Sequence, residues 1–224
     1  MSAEPTRDLI RELVRDAAPV KPLPRLRFVI ASVLLLWLAI GAIGVAIQGL
    51  APGFWQALAM PVSAGGIFAA LLVAGVGGTV AALALAVPGR EALARAGFAL
   101  GGAGALLAAG VGIALLLRSP LVEWRAPEVH DLVCLAIALT VGLAPALALG
   151  WFAGRAAPFR PLAIALAAAA GAAALGGSVA QATCPASDPW HLLFGHVFVP
   201  AAGAFVLTLP LLIAIRRSER SRAQ

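Results

Sequence analysis

Six long apolar runs, separated by short polar breaks that hold nearly all of the charge, constrain this chain more than any other feature. A helical stretch of about 20 apolar residues matches the hydrocarbon thickness of a bilayer. Only a helix or a closed barrel satisfies its own backbone hydrogen bonds where lipid offers none. The runs are Phe28 to Ile47, Ala57 to Val87, Ala96 to Leu117, Leu132 to Phe152, Leu162 to Ala180 and His191 to Ile215. The second holds 31 residues, so its helix is expected to begin after Pro61. The expected fold is an all-α polytopic membrane protein of six transmembrane helices, residues 28–215, with a cytoplasmic arm (1–27) and a basic tail (216–224). Composition agrees: 62% of residues are apolar and 12% charged, about half the ~25% charge of soluble domains. Small residues, including 24 Gly, let membrane helices approach closely.

Orientation follows from counting Lys and Arg. With both ends on one side, that side holds 14 of them: six in the arm, Arg90 and Arg95, Arg155 and Arg160, and four in the tail. The other side holds only Arg118 and Arg125. Short loops with this bias lie in the cytoplasm, so both termini are expected inside. The same flanking pattern accounts for the net charge of +6 without direct nucleic-acid binding, which needs a basic patch or module on a soluble face. The leading segment is too long and acidic for a secretory signal peptide.

No Asp, Glu, Lys or Arg falls well inside the six runs. Ion-coupled carriers need ionisable groups at membrane depth, which disfavours that class. A small transporter or channel-like bundle with a neutral path past Ser63, Thr79 and Thr140 remains an alternative, as does a structural or assembly subunit. No Ser/His/Asp set or HExxH pair points to an enzyme.

The arm carries the sharpest pattern. At ~100° per residue, Leu9, Ile10, Leu13, Val14 and Ala17 fall within one arc of roughly 140°. Arg7, Arg11 and Arg15 fill the adjoining arc, and Asp8, Glu12 and Asp16 the remainder. Residues 6–17 are therefore expected to form an amphipathic helix, with Pro5 at its first turn and Pro19 limiting its far end. A helix of about 12 residues is marginal in water and needs a receiving surface. Three readings stand: a groove on a protein partner, the protein's own loops, or the bilayer surface, whose helices prefer a more basic polar face. The Pro-rich stretch 19–24 then acts as a semi-rigid spacer.

Nearly all of the two cysteines and three histidines are expected at the outer face. His130 and Cys134 bracket the start of helix four, Cys184 lies in the loop before helix six, His191 opens that helix, and His196 follows. Three readings compete: inert packing, a Cys134–Cys184 staple, and a thiol switch or soft-metal site, since thiolate with imidazole favours zinc-like or copper-like ions. Cys134, Cys184, His130 and His191 are the candidate ligands. The spacing fits no paired-CxxC motif. His191 and His196, five apart, are not expected to share an α-helical face.

The stretch "DLIRELVRDAAPVKPLPRLR" before six spans resembles the NrsF-type membrane anti-sigma factors of bacteria, through Leu9, Ile10, Leu13, Asp16, Pro19, Val20, Leu23, Pro24 and Arg27. "CPASDPWHLLFGH" is similar to that family's Cys-Pro segment before the last helix, through Cys184, Pro185, Asp188, Pro189 and His191. The resemblance implies an inner-membrane protein that sequesters an extracytoplasmic-function sigma factor through its N-terminal helix. Leu9, Ile10, Arg11, Leu13, Val14 and Asp16 would be the contacts. It also implies an outward-facing cysteine pair, here Cys134 and Cys184, linked to signal-dependent release. The charged tail after Arg216 is longer than the family pattern suggests.

Overall fold

The computed structural model describes residues 7–8, 11–12, 14, 23–119, 129–156 and 159–220, with the side chains of 129–132 and 219 outside that description. Among the described residues all regular structure is helical, and six helices are long and apolar enough to cross a membrane. In chain order they are α1 (Leu26–Gln48), the short α2 (Phe54–Leu58), α3 (Ala64–Leu85), α4 (Glu91–Arg118), α5 (Val129–Ala156), α6 (Pro161–Thr183), the short α7 (Pro189–Leu193), a π segment (Phe194–Phe198) and α8 (Val199–Arg220). With six such helices alternating in direction, the chain ends at the end of the bundle where α1 begins. The opposite end is called the far end below.

Local signals explain the boundaries. Ser63 caps α3: its Oγ accepts from Gly66 N at 3.2 Å and shares its one proton between the Ala57 and Met60 carbonyls, each 2.6 Å away. The helix thus starts after Pro61, as the sequence suggests. The break before it is not plain loop, because Phe54–Leu58 forms one helical turn whose Phe54 stacks edge-on against Phe68 at 5.2 Å. Pro161 opens α6 at a first-turn position, where its missing N–H costs nothing. α4 begins at Glu91 and α5 at Val129, several residues before the apolar runs do, since a helix can extend past the hydrocarbon into the polar interface.

The bundle is organised around α6 and α3. The apolar windows of these two helices are 78% and 61% buried, against 17% for α1 and α4. Small residues make this possible. A Cβ at Gly77 would sit 2.6 Å from Gly101 Cα, so α3 and α4 touch backbone to backbone. Such proximity gives the van der Waals contact on which membrane helices depend. α1 joins from one side, where Trp37 Nε1 donates to the Leu175 carbonyl of α6 at 2.9 Å. α5 meets α6 at Gly142, where an added Cβ would lie 2.7 Å from Ala172 O.

In the arm, Arg7, Asp8, Arg11, Glu12 and Val14 are helical. Val14 is 70% exposed, and Arg11 Nη1 lies 3.5 Å from Asp8 Oδ1 on the exposed surface. Leu9, Ile10, Leu13 and Asp16 lie outside the described residues.

Candidate functional site

The far end of the bundle brings four soft donors together. Cys134 enters from the first turns of α5. Cys184 caps the end of α6 in an extended conformation that turns the chain out of the helix, and Pro185 follows. The return into the membrane is fixed by Asp188, whose Oδ2 accepts from His191 N at 2.9 Å, and by Pro189 at the first position of α7. Trp190 stacks on Phe194 at 5.7 Å between centroids. These contacts set the direction in which the His191 ring points.

Next comes the feature that sequence periodicity misses. Phe194–Phe198 is a π turn, with Val199 N bonded to Phe194 O. In a π turn the hydrogen bond closes on the fifth residue rather than the fourth, so residues five apart come to lie above one another. His191 and His196 are such a pair. Their Nε2 atoms are 3.1 Å apart and their rings meet edge-on at 5.0 Å. The expectation that they diverge is corrected: it holds for a continuous α-helix, and here the chain passes from α7 into a π turn between the two rings.

The separations are Cys134 Sγ to Cys184 Sγ 3.3 Å, Cys184 Sγ to His191 Nε2 3.1 Å, and Cys134 Sγ to His191 Nε2 3.9 Å. All four donor atoms lie within 4.8 Å of one another. A tetrahedron with ~2.3 Å metal–sulfur and ~2.0 Å metal–nitrogen bonds has edges of roughly 3.3–3.8 Å, so the set fits a Cys2His2 metal centre. Hydrogen-bond capacity points the same way. His191 Nε2 faces three polar atoms, yet an imidazole nitrogen offers one proton or one lone pair. The group is also dry: Cys134 and Cys184 are 5% exposed, His191 8% and His196 0%. His196 Nδ1 is buried without a hydrogen-bond partner among the described residues.

The Cys134 thiol donates to Cys184 Sγ, and this bond does most to hold the Cys184 thiol well below its ordinary value. Desolvation opposes it, and contacts from His191 and His196 reinforce it. A thiolate is the ligand and nucleophile form of cysteine, so Cys184 is prepared for metal capture or oxidation. Neither cysteine is held in a disulfide.

Of the four candidate ligands, Cys134, Cys184 and His191 converge. The His130 side chain lies outside the described residues. His196 is the fourth donor, which periodicity alone passes over. The available signal was its position as a second histidine in an otherwise uncharged apolar segment, directly after the Cys-Pro motif.

No curated protein and no solved structure matches the chain. A family model described as "Negative regulator of sigma F" matches residues 13–216, which takes in all six spans and the four donors but not the first part of the arm. The chain belongs to the NrsF family of negative regulators of sigma F.

Proposed function

We propose that this protein is an inner-membrane anti-sigma factor with both termini in the cytoplasm. It holds an extracytoplasmic-function sigma factor through its arm and releases it when a soft metal ion or an oxidant acts on the far-end thiols. The observation that carries the reading is the convergence of two thiols and two imidazoles at the end of the bundle opposite the arm, in a member of a sigma-regulator family. Residues 1–27 form the arm, 28–215 the sensing bundle and 216–224 the tail.

The arm stripe of Leu9, Ile10, Leu13 and Val14 fits a hydrophobic groove on the partner, with Arg11 and Asp16 at its charged margins. Exposure of Val14 supports a partner over docking on the protein's own loops. At the far end, Cys134, Cys184, His191 and His196 are the ligands, on α5, the end of α6, and the α7–π segment. A bound soft ion would supply bonds that tie these three elements together. Oxidation would instead join Cys134 and Cys184, whose sulfurs need to close from 3.3 Å to the ~2.05 Å of a disulfide. Either event changes partner affinity only through its differential free energy for the held and released states.

The test uses the full chain in nanodiscs, loaded with its cognate sigma factor. Addition of Zn2+ or Cu+ to the wild type is expected to release the partner, and Cys134→Ser/Cys184→Ser is expected to retain it. Normal release from the double variant would sink the sensing half. Unchanged sigma binding in Leu9→Asp/Leu13→Asp would sink the arm half.

A further inference from the structure

Three buried side-chain atoms lack a hydrogen-bond partner among the described residues: Thr79 Oγ1, Gln181 Oε1 and His196 Nδ1. The last belongs to a candidate metal ligand. We propose that Gln181 is the positioning residue for that ligand: its amide oxygen accepts from His196 Nδ1–H and so keeps Nε2 turned toward the other donors. The proposal rests on the reading that the far-end donors hold a soft metal ion, and adds to it a residue outside the donor set.

Register brings the two orphaned atoms to one level. α6 runs toward the far end and α8 away from it, so residue numbers on the two helices move in opposite directions. Two contacts fix their alignment. An added Cβ on Gly177 would lie 3.3 Å from Pro200 Cγ, and the donor atoms of Cys184 and His196 lie within 4.8 Å of each other. Gln181 falls between Gly177 and Cys184, and His196 precedes Pro200 by four positions. At ~100° per residue, Gln181 sits about 40° from Gly177 around α6, on the side that meets Pro200. Thr79 lies elsewhere. A Cβ on Gly171 would be 2.8 Å from Thr79 N, which places Thr79 about 15 Å along α6 from Gln181.

Chemistry makes the pair complementary. Gln181 is 3% exposed and His196 0%, so bulk water satisfies neither atom. A buried polar group left unpaired is destabilising, and one hydrogen bond relieves both. His196 Nε2 is the nitrogen that approaches His191 Nε2, at 3.1 Å. An imidazole that ligates through Nε2 carries its proton on Nδ1. Ligating histidines pass that proton to an outer acceptor, which fixes both the tautomer and the orientation of the ring. A glutamine carbonyl is such an acceptor. Its last torsion is broad, so the oxygen swings to the ring or reaches it through one ordered water, which makes the same connection.

The experiment measures the Zn2+ affinity of the full chain in nanodiscs by chelator competition. Gln181→Leu, and Gln181→Met as a second variant that fills the same space, are expected to bind Zn2+ about 10–100-fold more weakly than wild type. Gln181→Glu is expected to keep wild-type affinity, since a carboxyl retains an acceptor oxygen. In a His196→Ala background, Gln181→Leu is expected to cost nothing further, because Gln181 acts through that ring. Wild-type affinity in both Gln181→Leu and Gln181→Met would overturn the proposal. So would an equal loss in Gln181→Glu, or an undiminished loss in the His196→Ala background. A wild type that binds no Zn2+ would overturn the metal reading and the proposal with it, so the two failures are told apart by the wild-type titration.

Discussion

Replacing His196 with alanine separates a ligand from a packing residue, because the two roles predict opposite outcomes. The ring is fully buried and its Nδ1 has no hydrogen-bond partner among the described residues. A buried unsatisfied polar atom costs about 1–3 kcal/mol, which offsets much of the cavity left by truncation. The metal-free variant is therefore expected to unfold close to wild type. Metal binding is expected to behave differently. Four-ligand structural zinc sites are worth about 10–16 kcal/mol, so an equal share for His196 is about 2.5–4 kcal/mol, a ~10²–10³-fold loss of affinity. Chelator competition with Zn2+ in nanodiscs reads the affinity directly. At a free Zn2+ concentration ~100 times the wild-type Kd, the wild type gains about 2.7 kcal/mol of stability, while a variant weakened ~100-fold gains only about 0.4 kcal/mol. Wild-type affinity in His196→Ala, or a variant that loses stability equally with and without Zn2+, would refute the ligand role.

Gly142→Val is expected to cost about 1–3 kcal/mol by overpacking, since even a Cβ there would meet Ala172 O at 2.7 Å. It should also weaken Zn2+ binding, because α5 carries Cys134 and would be pushed from α6; affinity and unfolding measured together check both. Trp37→Phe removes the bond to the Leu175 carbonyl and is expected to cost about 1 kcal/mol in an unfolding titration without changing Zn2+ affinity. The pH dependence follows from Cys184, whose thiol is held below its ordinary value, first by Cys134. A folded-state value below the unfolded one means that this group's contribution to stability is full above the ordinary thiol pKa and is lost as pH falls toward the folded value. Zn2+ then has one thiol proton to displace rather than two, so affinity measured between about pH 6 and 8 should fall with the slope of a single thiol.

The number and order of the spans were legible because hydropathy reports burial in lipid directly, and an apolar run has few alternatives to a helix. Boundaries were legible where a side chain makes them: Ser63 caps α3 after Pro61, and Asp188 with Pro189 starts α7. The packing order was not. Ala- and Gly-rich α6 reads like any other span, and its central place arises from close approaches such as that at Gly142, which depend on partners distant in sequence. Cys134, Cys184 and His191 could be nominated from residue type and shared end. His196 could not be joined to them by counting residues, because α-helical spacing does not hold across a π turn. One extra residue in a helical turn leaves no mark in a hydropathy profile, yet it decides which side chains meet.

That extra residue bears on how a far-end event can reach the other end. α8 runs unbroken in register from Val199 to Arg220, about 33 Å at 1.5 Å per residue. It has the His196 turn at one end and Arg216 and Arg217 at the other. α5 carries Cys134 at the far end and Arg155 at the other, with Arg155 stacked over Trp151 at 4.4 Å. The two helices meet again near their last turns, where a Cβ on Gly154 would lie 2.9 Å from Ser218 Oγ. A ligand that draws Cys134 and His196 together therefore acts on two levers whose opposite ends are also in contact. Small rotations of closely packed helices cannot be absorbed by soft side chains at Gly154, which has none. Pro145 and Pro210 lie inside these continuous helices and are where bending would concentrate, since helix kinks sit at proline. In the proposed sensor, the π turn sets the ligand geometry and the prolines set how much of the resulting movement arrives beside the arm.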